Sequence, residues 1–212
     1  HAFFVACVSG CGSSRAAISA TPFLLPLMLE VGFGLSPLAS GLLLLVYMLA
    51  NLLMKAVTNP IVRRFGMRKV LIVNGALTAA GIAACAAISP GLPALLTGAI
   101  LFLSGASRSL QFSAITYTTF AEIGPEERSP ASILSALTQQ IASGVGVALA
   151  ALLLNFSRLL RHAANLEPFD FRLALVLMGV CGTLALFSYA GLAEGTGAEV
   201  SGHARARPAI QR

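Results

Sequence analysis

Six long, mostly apolar runs dominate this chain, at about residues 1–29, 38–62, 70–88, 92–120, 131–156 and 171–193. Each supplies the roughly 20 residues needed to cross the hydrocarbon core of a membrane. Inside lipid every backbone N–H and C=O must find a partner within the protein, so only helices and closed barrels can span it. Strict alternation of apolar and polar residues is absent, which makes a barrel a poor fit. The fold expected is an all-α polytopic membrane protein with six spans. Composition agrees: 57% of residues are hydrophobic and 10% are charged, against roughly 25% charged in soluble domains.

Turn chemistry falls between the runs. Residues 30–37 (EVGFGLSP) form a glycine-rich turn in which Ser36 can cap the next helix and Pro37 can occupy its first turn. Ser89, Pro90 and Gly91 predict a tight reversal. Gly124 and Pro125 end the fourth run, and Glu126, Glu127 and Arg128 need water. Pro60 lies near a helix end, whereas Pro22 and Pro26 lie inside the first run and predict a bend. Residues 1–194 are therefore expected to form the six-helix bundle. Residues 195–212, small, polar and basic, are expected to be a mobile cytoplasmic tail in which His203 is solvated. The chain begins at His1, with no basic leader, and is expected to be a piece of a longer protein rather than to start with a secretory signal.

Lys and Arg orient the bundle. Arg63, Arg64, Arg68 and Lys69 lie after the second run, Arg128 after the fourth, and Arg205, Arg207 and Arg212 in the tail. Alternating spans put all of these on one side, opposite Arg158, Arg161 and Arg172. The positive-inside rule makes the richer side, and the C-terminus, cytoplasmic. The net charge of +6 is then mostly topology, and with no basic face on a soluble fold a nucleic-acid partner is not expected. Membrane lipids are. Cys7, Cys11, Cys85 and Cys181 sit in apolar stretches. Cys7 and Cys11 share a helical face, but no histidine or carboxylate joins them, so no metal site is expected. Without paired carboxylates or a Ser/His/Asp set, neither an enzyme nor a bound cofactor is expected.

Three cations stand inside the spans: Arg15, Lys55 and Arg108. A lipid-facing charge is costly, so such a group normally faces a bundle interior or an aqueous cavity. Arg15 stands among Ser13, Ser14 and Ser19, and Arg108 among Ser104, Ser107, Ser109 and Gln111. Each can bind an anion, repel a proton in one state or pair with a carboxylate; each can equally serve as a structural hydrogen-bond donor. Lys55 lies nearer the cytoplasmic end, where snorkelling competes. Asn51, Gln111 and Gln139 complete the cavity or gating candidates, with helix–helix bonding as the other reading of the glutamines. Asn59 and Asn74 are expected to bond locally. Ser143, Gly144, Gly146, Ala148 and Ala150 give the fifth run a small-residue face suited to close backbone packing. Acids are scarce: Glu30 and Glu122 end their runs, and neither reads as a central proton carrier.

The link at 59–71 (NPIVRRFGMRKVL) is too short for a flexible loop. Gly66 permits a sharp reversal where a Cβ could clash, and the surrounding cations can hold helix ends at the headgroup level. This stretch resembles the cytoplasmic loop motif of the major facilitator superfamily, G-x-x-x-D-R-x-G-R-(R/K). Arg64, Gly66, Arg68 and Lys69 are kept, and Arg63 stands where the acid is expected. Residues 22–29 (PFLLPLML), 32–42 (GFGLSPLASGL), 105–113 (GASRSLQFS) and 139–150 (QQIASGVGVALA) are similar to the fourteen-helix drug:proton antiporter branch and its MdtD-like members. The resemblance covers about residues 3–193.

It implies that the six helices are the C-terminal half of a transporter, with an N-terminal half lying outside this chain and a substrate site between the two. It also implies export of small, often amphipathic organic compounds, with the proton as coupling ion. The main protonation site then lies in the N-terminal half. A facilitator-fold carrier of a nutrient or anionic metabolite, and a membrane receptor or assembly subunit without transport, are the alternatives. The residues alone give a polytopic helical bundle with buried cations; a bacterial inner membrane is what the resemblance implies, and fold does not choose the compound carried.

Overall fold

The computed structural model describes residues 11–120 and 128–190. Cys7, Glu122 and the tail, with Arg205, Arg207 and Arg212, lie outside them. Six α-helices follow one another: α1 Cys11–Leu27, α2 Pro37–Phe65, α3 Met67–Cys85, α4 Ala94–Phe120, α5 Arg128–Leu160 and α6 Pro168–Ala190. Among the described residues there is no strand. By length and composition, Pro37–Phe65, Met67–Cys85 and Ser129–Leu160 are long and apolar enough to cross a membrane. Their outer faces carry large apolar side chains in the open, such as Leu38, Leu45, Leu52, Ile141 and Leu152. Lipid can cover such a surface, whereas water cannot do so without cost.

The turns follow their residues. Ser36 caps α2 by accepting from the Ala39 N–H at 3.3 Å, with Pro37 in the first turn. Ser89 to Leu92 closes through Leu92 N–H to Ser89 O at 3.0 Å. α1 stays helical through Pro22 and Pro26 and then widens into a π-helical turn, Met28–Gly32. Two missing backbone donors are followed by a changed hydrogen-bond register at the helix end. Glu30, exposed in that turn, accepts from the buried Ser40 Oγ at 2.6 Å and fastens α1 to the start of α2.

Contact numbering sets the directions of the helices. Between α2 and α4, Tyr47 meets Gly105, Asn51 accepts from Ser109 and Asn59 accepts from Tyr117. The spacing of 58 is constant, so these helices run parallel. Between α1 and α5 it is 124 for both Arg15–Gln139 and Ser19–Ser143, again parallel. In the other pairs the numbering runs oppositely. Gly75 meets Gln111 while Gly81 meets Ser104, so α3 opposes α4; Gly75 meets Leu186 while Gly179 meets Ala79, so α3 opposes α6. Ala17 on α1 meets Gly182 while Gly32, in the π-helical turn that follows, meets Phe171, so α6 also opposes α1. The helices therefore alternate up and down, as successive membrane crossings must.

Close packing holds these pairs, because lipid supplies no hydrophobic drive between helices. A Cβ on Gly146 would lie 2.1 Å from the Ala16 carbonyl oxygen, and one on Gly105 would lie 2.3 Å from that of Tyr47. Only glycine permits those approaches. The small-residue face expected on α5 is narrower than its sequence suggests. Gly146 and Ala150 are buried and Ser143 bonds Ser19, whereas Gly144 and Ala148 are exposed and a Cβ on Gly144 would meet nothing within 4 Å. Helical periodicity sends the two sets to opposite sides.

Candidate intramembrane cation site

Arg15 is 3% exposed, on the face of α1 that meets α4 and α5. Its Nη1 donates to Gln139 Oε1 on α5 at 2.9 Å. Its guanidinium carbon lies 5.3 Å from the centre of the Phe112 ring on α4. One turn further along both helices, Ser19 and Ser143 share a hydrogen bond of 3.0 Å. Arg15 Nε is buried with no acceptor. A cation–π contact contributes about 0.5–2 kcal/mol, and a hydrogen bond to a charged group about 1.5–3 kcal/mol. Removing an ion from water costs several kcal/mol even after relaxation. The contacts seen leave the positive charge only partly compensated.

Arg108 is the companion. It is half-buried on α4, one turn before Phe112, with its guanidinium carbon 5.9 Å from the Tyr47 ring and its Nε also without an acceptor. Tyr47 is fully buried, and its hydroxyl likewise has no partner. Thus Arg15 reaches Gln139 on α5 and the Phe112 ring on α4, and Arg108 lies one turn before Phe112 on the same helix.

The remaining candidates separate. Gln111 is fully buried between α3 and α4: its Oε1 accepts from Asn74 Nδ2 at 3.0 Å, and its Nε2 donates to Leu71 O at 3.3 Å. This is the helix–helix bonding reading, since both ends of the amide are used inside the bundle. Asn74 Nδ2 also donates to Ser107 O at 2.8 Å. The expectation that Asn74 and Asn59 bond locally is therefore corrected. Asn74 ties α3 to α4, and Asn59 ties α2 to α4 by accepting from the Tyr117 hydroxyl at 2.8 Å. Asn51 is half-buried, its backbone carbonyl accepting from Ser109 Oγ at 2.7 Å. Lys55 is exposed on α2.

Arg63 and Arg64 end α2, and Arg68 and Lys69 begin α3, with Gly66 alone between the helices. Gly66 has φ 80 and ψ 151, a region almost confined to glycine. Nothing lies within 4 Å of where its Cβ would be. The requirement for glycine is backbone conformation and not the steric clash expected. Gly66 N–H donates to Val62 O at 3.0 Å and its own carbonyl accepts from Val70 N–H at 3.1 Å, so both helices close on one residue.

A second charged cluster escaped sequence reasoning. Asp170, fully buried in the first turn of α6, accepts from Arg161 Nε at 3.1 Å and from the Glu167 N–H at 2.9 Å, and also bonds Arg161 Nη2 and Ser157 Oγ. Arg161 Nη1 pairs with Glu167 at 2.7 Å. Burial pulls the Asp170 carboxyl pKa upward, but the Arg161, Glu167 and Ser157 donors outweigh it and hold it below the ordinary carboxylate range. The signal was present: Glu167, Pro168 and Asp170 have the spacing of an N-cap, a first-turn proline and a carboxylate reaching back to the cap N–H.

With this geometry in view, likeness to known proteins is informative. The sequence profile of the Major Facilitator Superfamily matches residues 3–210. The chain belongs to the Major Facilitator Superfamily. Within that superfamily it is 30% identical over 154 residues to a putative multidrug resistance protein MdtD of Pectobacterium carotovorum, covering 73% of this chain and 33% of that relative. A protein of the same description from Citrobacter koseri is 29% identical over 151 residues, covering 69% and 31%. One from Yersinia pestis (strain Pestoides F) is 30% identical over 152 residues, covering 68% and 31%. The chain thus spans about a third of the length of these curated relatives. No solved structure matches it significantly.

Proposed function

We propose that the chain is the C-terminal helical half of a fourteen-helix exporter that moves small, amphipathic organic compounds across a bacterial inner membrane. The printed description of its relatives supports the substrate class. The observation that carries a transport role is Arg15, buried among α1, α4 and α5 with its charge only partly compensated. A purely structural arginine would be expected to use its donors on protein acceptors, as Arg161 does at the turn between α5 and α6.

Proton influx is the proposed driving force. Among the described residues, Glu30 is exposed and bonded to Ser40, while Glu167 and Asp170 are paired with Arg161. The main protonation site is therefore assigned to the N-terminal half. The Gly66 turn and the C-terminus are assigned to the cytoplasm, and the turn at 30–36 to the outside, from the distribution of Lys and Arg. Arg15 and Arg108 also suit the second reading, a carrier of a nutrient or anionic metabolite, because both lack a carboxylate partner among the described residues.

The test uses the complete transporter reconstituted in vesicles. Efflux of a lipophilic fluorescent cation and of a lipophilic anion is followed with and without an imposed proton gradient. Gradient-dependent export of either supports the proposal. Movement of neither, or movement indifferent to the gradient, contradicts it.

A further inference from the structure

Resting on the transport reading, we infer that Arg15, Gln139 and Phe112 form a carboxylate-binding site in which Gln139 serves as an exchangeable placeholder. Arg15 is almost completely enclosed, yet Gln139 and Phe112 are only half-buried, so they form the approachable side of the site. Gln139 Oε1 occupies one guanidinium N–H donor at 2.9 Å. A side-chain carbonyl there does for one N–H what a carboxylate does for two, and it brings no negative charge.

The replacement keeps its hydrogen bonds. An incoming carboxylate takes the guanidinium edge that the Gln139 oxygen vacates, and the planar fork of arginine suits two carboxylate oxygens. The Gln139 amide, freed from Arg15, can turn its N–H donors toward the same oxygens. The charge that Phe112 and Gln139 compensate only in part is then neutralised. Phe112 covers the guanidinium with its ring, which admits an apolar body beside the carboxylate. A phosphate, with more oxygens and more charge, needs further donors, and Arg108 is directed to Tyr47 instead.

The carboxylate has two possible sources, an acidic side chain of the N-terminal half or the head of an amphipathic substrate. The measurement is binding of 1-pyrenebutyrate and of its uncharged amide to the purified complete transporter, by equilibrium dialysis. A substrate carboxylate predicts that the acid binds about tenfold tighter than the amide, or more. Arg15→Gln and Gln139→Glu each bring that ratio to about one. Gln139→Glu supplies a permanent internal carboxylate, so it blocks the site without leaving Arg15 unpaired and keeps the test valid if Arg15→Gln does not fold. A side-chain source predicts no preference in the wild type. It predicts instead that one Asp→Asn or Glu→Gln variant of the N-terminal half has a thermal effect non-additive with that of Gln139→Glu. An acid preference that survives both Arg15→Gln and Gln139→Glu, or no preference together with no coupled acid, overturns the inference. Gradient-driven efflux of the fluorescent cation, followed in parallel, reads the exporter proposal on its own.

Discussion

Arg15 and Arg161 place the same guanidinium in opposite settings. Arg161, at the water-facing turn between α5 and α6, uses Nε, Nη1 and Nη2 on Asp170 and Glu167. Arg15, inside the bundle, has one amide oxygen and one ring face. The charge that could be left to water is fully paired, and the charge that lipid penalises is not. Stability alone would give the reverse distribution. The turn is therefore built as a clasp, while the α1–α5 seam is held together by close backbone approach and leaves its cation with one amide oxygen and one ring face.

The strongest challenge to this contrast is to the seam's packing. Gly146→Ala is expected to cost about 3 kcal/mol, the upper end for overpacking, because its methyl would meet the Ala16 backbone. Gly144→Ala, on the open face, is expected to be neutral or stabilising by up to about 1 kcal/mol. Folded yield and thermal midpoint of the complete transporter measure both. Equal effects would mean that α1 and α5 do not meet as described.

Next comes the clasp. Asp170→Asn breaks a pair whose arginine is partly exposed, so a loss of about 2–3 kcal/mol is expected, at or below the lower end for buried pairs. Because the Asp170 pKa is lowered by folding, its contribution is present above the ordinary carboxylate range and is lost as pH falls through the folded value. The midpoint difference between wild type and Asp170→Asn is expected to be constant near neutral pH and to shrink below about pH 4. A difference that grows on acidification contradicts the clasp.

A smaller effect is expected at the other water-facing turn. Gly66→Val forces a β-branched residue into its unusual backbone conformation at about 1–3 kcal/mol. Transport per folded molecule is expected to fall further than folded yield, since α2 and α3 both end on this residue. Unchanged turnover would reduce Gly66 to a permissive turn, with the strain met elsewhere.

Much of the architecture was legible in the sequence. Apolar run length located the helices, and Ser36, Pro37, Pro90 and Gly91 located their turns, because these signals are local. Arg15, Arg108 and Gln139 were legible as polar groups misplaced in apolar runs. Their partners were not. The pairing of Arg15 with Gln139 depends on α1 and α5 running parallel in contact, a tertiary fact. Asn74 and Asn59 were misjudged for the same reason: their neighbours in space lie on α4. Gly66 was recognised as necessary, but its cause is backbone conformation, which a sequence can suggest and cannot measure. Asp170 was readable from the capping pattern at Glu167, Pro168 and Asp170, but it lies just before an apolar run, and its pairing with Arg161 is made only when the turn between α5 and α6 closes.

The most direct test sets the two arginines side by side in the complete transporter. Arg15→Gln and Arg161→Gln are reconstituted, folded protein is quantified in each, and gradient-driven flux of a lipophilic substrate is expressed per folded molecule. Arg15→Gln is expected to lower this flux by about tenfold or more, equivalent to about 1.4 kcal/mol, with most of the folded yield retained. Arg161→Gln is predicted to lower the yield and leave the flux of the surviving molecules near that of the wild type. Normal flux in Arg15→Gln, with the loss confined to Arg161→Gln, would contradict the assignment of the buried cation to transport.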